Sequence, residues 1–414
     1  MTKTIRLIFT LLLLASVFSA VSEAGQSLVR ERELLIADRC ITCHTKESPG
    51  VVNDWKDSQH ARARVTCYDC HKAEKTDLDA QEHEGALIAV IASPRDCSRC
   101  HPSEVRQFQD SHHAKAATFL SKKTPEGRIM DNVLGYKVEG RQAAIVGCEK
   151  CHGSEIKLGK GGTLTADSWP NTGIGRVNPD GSKGSCTACH TRHRFSIGEA
   201  RKPETCGTCH IGPDHPHIEI YMESKHGVIY TNEKDDWNWD IAGSNWDTQY
   251  YRAPTCATCH MSGIGSVETT HNVSDRLSWW LAKPRSEPRE NWRKNRETMQ
   301  KVCKNCHSAN WVKGFYQQGD DAIKLYNEKF FDPIKALMDK LYADGLLTKE
   351  KFDEELEFKF FEFWHHEGRR ARAGVFMMGA DYAQWHGFYE LARNKLELER
   401  LIKELEEKGG GKMD

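Results

Sequence analysis

The sequence predicts a mainly α-helical protein in two parts, with short helices and loops first and about three long helices at the C-terminal end. Two observations predict this division. Eight Cys-x-x-Cys-His motifs lie between Cys40 and His307, and none follows. From about Asp320 the apolar residues recur at intervals of three and four, which is the period of an amphipathic helix.

Every cysteine of the chain belongs to one of these motifs, and each motif ends in histidine. Zinc ribbons and disulfide-rich domains also use paired cysteines, but neither explains the histidine that follows each pair. The pattern indicates c-type haem attachment, in which two thiols bond to the ring and the histidine binds its iron. We therefore expect eight covalently attached haem c groups. The attachment cysteines are Cys40, Cys43, Cys67, Cys70, Cys97, Cys100, Cys148, Cys151, Cys186, Cys189, Cys206, Cys209, Cys256, Cys259, Cys303 and Cys306. The histidines beside them are His44, His71, His101, His152, His190, His210, His260 and His307.

The N-terminus predicts export. Two basic residues precede an apolar run over 7–18, and small residues near Ala24 offer a cleavage point. The run is too short to span a bilayer comfortably, so residues 1–24 are expected to be a secretory signal peptide. An uncleaved signal anchor is the alternative. We expect a periplasmic or equivalent extracytoplasmic protein that is soluble or peripheral after cleavage.

The composition excludes one class of function and fits bound haem. A formal net charge of −1 gives no electrostatic footprint for nucleic acid. Hydrophobic residues make up 38% of the chain, and the mean hydropathy is −0.65, which is low for this length. Large flat haem rings would supply the missing apolar volume, packed among loops and short helices.

The periodic C-terminal segment predicts three helices. The first ends at Gly345, and Thr348 is the expected N-cap of the second, which runs to about Met378. The third begins near Asp381 and ends before the glycines at 409–411. These helices either pack on the first part or form a stalk between subunits. The predicted parts are an octahaem domain over 25–310, a long-helix domain over 311–408 and a flexible tail over 409–414.

Twelve histidines lie outside the motifs and are candidates for the second ligand of an iron. An iron with two histidines transfers electrons, whereas an open position can bind a small molecule. Three of the twelve share a pattern: aromatic, any residue, acid, serine, any residue, histidine, small residue. The small residue would let a flat ring approach, and the acid could hold the imidazole N–H. The pattern predicts His60, His113 and His226 as ligands; His83, His271 and His386 come next, and His215 or His217 could supply one more. The count also permits a second histidine on every iron.

With these features the chain resembles an octahaem cytochrome of the hydroxylamine oxidoreductase family. The resemblance covers nearly all of the chain after residue 24. It rests on the unequal motif spacing and on four stretches. These are Trp169-Pro-Asn-Thr-Gly-Ile-Gly-Arg176, Cys186-Thr-Ala-Cys-His-Thr-Arg-His193-Arg-Phe195, Gly212-Pro-Asp-His215-Pro-His217 and Met377-Met-Gly-Ala-Asp381-Tyr382-Ala-Gln-Trp385-His386.

The resemblance implies a division of labour among the haems. In that family the fourth haem is catalytic and lacks a second protein ligand, which here is the haem held by the motif of His152. The other seven carry electrons between pairs of histidines. The family also places a histidine and an acid over the open iron, and His193 and Asp180 are the candidates. The alternative is a Pro-Asp-Gly turn for Asp180 and a surface position for His193.

The resemblance also bears on direction. Oxidising members carry a tyrosine from a neighbouring subunit, covalently bonded to the catalytic haem, and Tyr382 is the best-placed match, with Tyr389 second. This implies a homotrimer. Members without the crosslink resemble reductases that take nitrite towards ammonium. Pentahaem nitrite reductases use Cys-x-x-Cys-Lys at the catalytic haem, and all eight motifs here end in histidine.

The expected function is therefore a redox enzyme acting on small inorganic nitrogen compounds. Hydroxylamine oxidation to nitric oxide or nitrite is the first hypothesis, and reduction of nitrite or hydroxylamine to ammonium at the same site is the alternative. A non-catalytic periplasmic electron carrier is the second alternative. The expected redox partner is a small cytochrome c or a membrane quinone-linked protein.

Overall fold

The structure is a computed structural model that describes residues 27–120, 123–124, 127–128, 134–241, 245–247 and 249–410. The predicted signal peptide over 1–24 and residues 411–414 of the predicted tail lie outside these residues. Within the described ranges, no helix combines the length and apolar character needed to cross a membrane.

The first part of the chain consists of short helices joined by loops, and the predicted mainly α-helical class is confirmed. A helix over 27–47 opens it. The α-helices that follow are Pro49–Lys56, Gln59–Arg62, Cys67–His71, Pro94–Cys97, Pro102–Asp110, Ala116–Leu120, Leu134–Lys137, Arg141–Val146, Cys148–His152, Ile197–Arg201, Pro203–Gly207, His217–Glu223, Lys225–Glu233, Cys256–His260 and Trp292–Cys303. Short 3-10 turns are Lys160–Gly162, Cys186–Ala188, Lys234–Asp236 and Val273–Arg276.

Strands are few and short. Ala80–His83 pairs antiparallel with Ala86–Ala89. Lys123–Thr124 pairs antiparallel with Gly127–Arg128, and Asn245–Trp246 pairs parallel with Gly263–Ile264. None of these two-stranded sheets forms a layer, so the first part depends on what its helices and loops enclose.

Several attachment motifs form a single helical turn. In the second motif, Thr66 accepts a hydrogen bond from the backbone N–H of Asp69, and the Asp69 carboxylate accepts one from Thr66 in return. Thr255 and Thr258 make the same capping box before the seventh motif. Positions three and four apart share one face of a helix. The cap therefore sets two thiols and one imidazole on the same face.

Three long C-terminal helices are present, and each contains a π-helical segment. The first spans Ala309–Leu325, Tyr326–Phe331 and Asp332–Ala343; the second spans Glu355–Glu362, Phe363–Glu367 and Gly368–Phe376; the third spans Ala380–Ala383, Gln384–Phe388 and Tyr389–Gly410. The predicted N-cap at Thr348 is wrong, because the second helix begins seven residues later, at Glu355. The Thr348 hydroxyl instead binds the Asp353 carboxylate at 2.8 Å.

The three C-terminal helices share one apolar core and dock on the first part through a buried arginine. The core includes Phe363, Leu391 and Leu398. Arg372 is fully buried; it lies 3.9 Å over the Tyr326 ring and donates to the Ser286 hydroxyl at 2.6 Å. A buried guanidinium is tolerated only when its donors are satisfied, so this contact fixes the second helix against the loop around residue 286.

Candidate functional site

The first part of the chain encloses a continuous cavity of about 3650 Å³, lined by residues from all eight attachment motifs. A single small-molecule site usually has a volume of about 300–1,000 Å³. The cavity therefore has room for several large ligands, in agreement with multiple haem rings.

Histidine pairs inside this cavity have the separation that a shared iron requires. A metal–imidazole bond is about 2 Å long and the nitrogen lies about 1 Å from the ring centre, so two imidazoles across one metal have ring centres about 6 Å apart. Five motif histidines have such a partner. The pairs are His44 with His83 at 6.1 Å, His71 with His193 at 6.4 Å, His101 with His60 at 6.2 Å, His210 with His113 at 6.0 Å and His307 with His226 at 6.1 Å.

These pairs fit bound haem chemically as well as in distance. Burial lowers the pKa of His113 to about 4, and burial followed by the charge of His101 lowers the pKa of His60. Both imidazoles are therefore neutral at pH 7, which is the form that binds a metal. His60, His83, His113 and His226 lie where a second iron ligand is needed.

His193 lies elsewhere than the sequence analysis expected. It was predicted beside His152, but the structure pairs it with His71 of the second motif, with ring centres 6.4 Å apart. Its place is that of a second iron ligand, because an imidazole facing His71 at this separation cannot also stand over the fourth motif.

Asp180 also has a different role from the predicted one. Its carboxylate accepts hydrogen bonds from the backbone N–H of Ser182 at 2.8 Å and from the Ser93 hydroxyl at 2.6 Å. Since Ser93 caps the helix Pro94–Cys97 of the third motif, Asp180 ties a turn to that motif. The structure therefore supports the turn interpretation over a catalytic acid.

The repeated pattern around His60, His113 and His226 is a helix start. In each copy the serine is buried and its hydroxyl accepts a hydrogen bond from the backbone N–H three residues later, at 3.1, 3.3 and 3.1 Å. The histidine therefore projects from the first turn of a helix. The small residue has a backbone reason, because a Cβ on Gly227 would lie 2.0 Å from the Tyr221 carbonyl oxygen.

The acid of the repeat does not hold the imidazole as expected. In the third copy the Glu223 carboxylate accepts from the backbone N–H groups of Asp381 and Tyr382 at 3.1 and 3.2 Å. It therefore caps the third C-terminal helix and joins the two parts of the protein.

The fifth and seventh motifs have histidine neighbours without a ring pair of this kind. His271 is the strongest charged neighbour of His190, although burial contributes most to lowering the pKa of His190 to about 4. His217 has His260 among its charged neighbours, and its Nδ1 lies 2.9 Å from Nδ1 of His210. The prediction of His271 as a ligand is compatible with this position.

His386 does not face any attachment motif of its own chain. Its side chain is 51% exposed and forms an ion pair with Asp381 at 2.9 Å. Its ring stacks on Tyr382 with centres 4.9 Å apart. The prediction that His386 is an iron ligand is therefore not supported within one chain, because its surroundings are the outer face of the third C-terminal helix.

The fourth motif has surroundings unlike those of the other seven. Burial is the main cause that lowers the pKa of His152, and its charged neighbours are His215, Asp214 and Arg369. Within the described ranges no second imidazole pairs with His152 near 6 Å. An acid, a histidine and an arginine thus lie beside the histidine that the fourth motif supplies.

Asp214 orients the histidine of this cluster. Its Oδ1 lies 2.5 Å from Nδ1 of His215, and its Oδ2 accepts from Arg369 at 3.3 Å. Burial of Asp214 opposes ionisation, yet the hydrogen bond and charge of His215, together with nearby cations, hold its pKa well below the usual range. The carboxylate is therefore charged at pH 7 and fixes a proton on Nδ1 of His215.

The second C-terminal helix carries the cationic side of the cluster. Arg369 also donates to the Ala282 carbonyl at 3.0 Å, and Arg370 donates to the Pro213 carbonyl at 2.6 Å. Nε2 of His365 lies 3.9 Å from the Asp214 carboxylate. Burial, and then the charge of Arg369, lower the pKa of His365, so Asp214 and Arg369 balance each other in a cluster whose His365 is neutral.

Sequence reasoning missed Asp214, His365 and Arg369. Asp214 was visible in the stretch Gly212–His217, where an acid directly precedes a histidine, but attention to residues that follow the fourth motif closely favoured Asp180. His365 and Arg369 lie more than 200 residues from His152 in the chain, and no local pattern marks them.

The attachment cysteines also give the order in which the motifs adjoin one another. Neighbouring thiols connect the motifs in the series one, two, three, five, six, seven and eight, and the fourth motif branches from the sixth. The neighbouring thiols are Cys40 with Cys67, Cys70 with Cys97, Cys97 with Cys186, Cys189 with Cys206, Cys206 with Cys256, Cys259 with Cys303, and Cys151 with Cys209.

The pairing of His193 with His71 predicts a spectroscopic change. His193→Ala should convert one low-spin ferric haem to high spin, because the second motif loses its other ligand. Electron paramagnetic resonance of the oxidised protein measures this. His386→Ala is the control and should leave the low-spin signals unchanged. An unchanged spectrum for His193→Ala would refute the pairing.

Comparison with known protein families agrees with this geometry. The family described as "Seven times multi-haem cytochrome CxxCH" matches residues 178–354, and the family described as "Cytochrome c554 and c-prime" matches residues 96–140. Both are families of proteins with covalently bound haem c.

Individual relatives point the same way. The chain is 25% identical to a "Probable nitrite reductase-hydroxylamine oxidoreductase fusion protein" of Kuenenia stuttgartiensis, over 75% of this chain and 38% of that protein. It therefore spans well under half the length of that relative.

Two solved structures share its fold. One, a "Hypothetical multiheme protein", has a TM-score of 0.80 at 26% identity and covers 90% of this chain and 96% of its own. The other is the "reducing HAO-like protein complex" of Kuenenia stuttgartiensis, with a TM-score of 0.65 at 19% identity, covering 92% and 86%. Taken with its attachment motifs and paired histidines, the chain is a multihaem c-type cytochrome of the hydroxylamine oxidoreductase family.

Proposed function

We propose that the protein is a redox enzyme for small inorganic nitrogen compounds, with its reaction centre at the haem attached to the fourth motif. One observation carries the proposal: the charged neighbours of His152 form an acid–histidine–arginine cluster, whereas five other motif histidines face a second imidazole near 6 Å. Eight haems are proposed in all, with seven passing electrons and one open to substrate.

The favoured reaction is oxidation of hydroxylamine to nitric oxide or nitrite. The haem iron on His152 would supply the binding position for the substrate nitrogen and accept its electrons. Oxidation of N–H and O–H bonds also needs a base within hydrogen-bond reach. His215 fits this role, because Asp214 fixes the proton on its Nδ1 and leaves Nε2 to accept one. Asp214 then stabilises the resulting imidazolium.

Charge balance supports a small neutral substrate. The ionised Asp214 is paired with Arg369 at 3.3 Å, so the cluster offers hydrogen-bonding groups without a large net charge. Hydroxylamine, which is uncharged near neutral pH, would enter without repulsion. The arginine also holds the carboxylate in place and keeps it bonded to His215.

The same site run in reverse is the alternative, with nitrite or hydroxylamine reduced to ammonium. The specific support is Arg369, whose guanidinium is 18% exposed in this cluster and could face an anion. His215 would then donate protons instead of accepting them. The name of the Kuenenia relative joins nitrite reductase and hydroxylamine oxidoreductase, so it supports the site and not a direction. A carrier without chemistry is the second alternative, and it would leave the cluster beside His152 without a task.

Direction is proposed to depend on Tyr382 and on assembly. Tyr382 lies on the outer face of the third C-terminal helix, near Glu219, Arg370 and Glu223, so only a second copy could bring it to a fourth motif. A homotrimer with a tyrosine–haem crosslink would favour oxidation. Mass spectrometry of the denatured protein tests this: a haem peptide joined to Tyr382 of another chain is expected for the oxidising enzyme, and its absence would favour reduction.

We further propose an extracytoplasmic location and electron exchange with a small cytochrome c or a membrane quinone-linked protein. The support is chemical, because thioether attachment of c-type haem requires the export that residues 1–24 predict. A leader fusion to a reporter that is active only outside the cytoplasm would test it.

Asp214 gives the sharpest test of the proton-transfer role. Asp214→Asn should lower kcat for dye-linked hydroxylamine oxidation by about 10²-fold or more, because the imidazolium of His215 loses its counter-charge. The haem spectrum and haem content should stay unchanged. Asp167→Asn, an exposed ion pair with Lys157, is the matched control and should keep full activity. Full activity in Asp214→Asn would exclude the assigned role.

A further inference from the structure

The series of motifs has two ends, and the protein must exchange electrons with its surroundings somewhere along it. The first and eighth motifs each adjoin one other motif, and the fourth branches inside the series at the sixth. Electrons gained or lost at the fourth motif can therefore travel towards either end.

Exposure narrows the choice to three motifs. The second cysteine is exposed in the first, third and eighth motifs, at Cys43, Cys100 and Cys306. A ring bonded to an exposed cysteine presents its edge to solvent. Each of these three positions can therefore bring a partner close to a ring, whereas the other motifs are more deeply enclosed.

Charge separates the eighth motif from the other two. Segment 27–47, which contains Cys43, has four basic and four acidic residues, and segment 93–110, which contains Cys100, has three of each. Segment 292–313, which contains Cys306, has six basic residues and one acidic residue. The whole chain has a net charge of −1, so this segment is a strongly basic patch on an otherwise acidic molecule.

The basic side chains are exposed around a central aromatic residue. Lys294, Lys301, Lys304 and Lys313 are exposed, and Trp311 is 42% exposed between them in sequence. The Trp311 ring stacks on the His307 imidazole with centres 4.1 Å apart and planes 16° from parallel. A partner that covers Trp311 would therefore lie directly beside the ligand of the eighth haem.

We infer that this basic surface around Cys306 and Trp311 is the electron-exchange port of the protein, and that its partner is a small electron-transfer protein with an acidic face. Rim charges speed encounter and orient the two surfaces. A large aromatic side chain at the centre is the usual anchor of such a contact. The lysines would supply the rim and Trp311 the centre.

Each encounter passes one electron between the eighth haem and the one-electron metal cofactor of the partner. One is oxidised as the other is reduced, and no bond or proton changes place. The inference rests on haem attachment at the eighth motif and not on nitrogen chemistry. The port and the proposed function can therefore fail separately.

Stopped-flow reduction of the full-length holoprotein tests the port. The probe is a prereduced, acidic plant-type [2Fe–2S] ferredoxin, followed by haem absorbance at low ionic strength. The port variant is Lys294→Glu, Lys301→Glu and Lys313→Glu together, which leaves the Cys303–His307 motif intact. The control variant is Lys46→Glu, Lys56→Glu and Lys403→Glu, three exposed lysines elsewhere. It changes the net charge equally and alters the surface beside the first motif.

The port variant should reduce the second-order rate constant by about 10-fold or more and weaken its dependence on salt, with haem content unchanged by mass. The control variant should stay within about twofold of the wild type. An unaffected port variant would overturn the inference. So would an equal loss in both variants, which would show a general charge effect, and so would a larger loss in the control, which would move the port to the first motif.

Discussion

The separation of about 6 Å between imidazoles on the two sides of one iron is the constraint that this structure depends on. Five motif histidines face a second histidine at 6.0–6.4 Å. The local structure serves this spacing. Threonine caps wind attachment motifs into one helical turn, and buried serines start the helices that carry His60, His113 and His226. Short helices are sufficient because each need only present one side chain to a ring.

The fourth motif is where this constraint is relaxed. Instead of a facing imidazole near 6 Å, His152 has Asp214, His215 and Arg369 as neighbours. The cluster depends on the C-terminal helices, because Arg369 and Arg370 bind the loop around Asp214. The long helices therefore have a task besides their own packing. They complete the polar side of the site, and the buried Arg372 keeps the second helix in register with the first part.

Much of the fold was readable from the sequence, because attachment motifs and helical periodicity are local signals. The same holds for His60, His113 and His226, whose serine caps lie two residues away. The site residues were harder. His193 and Asp180 follow the fourth motif in sequence, but the chain places His193 across from the second motif and Asp180 in a turn. His365 and Arg369 reach the site by tertiary packing, which no periodicity reveals. Likewise, an acid beside a histidine carries no meaning until its neighbours are known.

The most direct test of this account is the spin state of the haems in the purified, oxidised protein. Electron paramagnetic resonance should show one high-spin ferric haem beside low-spin haems, and adding hydroxylamine or nitrite should change the high-spin signal alone. That result would place an open iron in a chain of paired ones. A spectrum in which every haem is low-spin, with none altered by hydroxylamine, nitrite or cyanide, would contradict the account and leave an electron carrier.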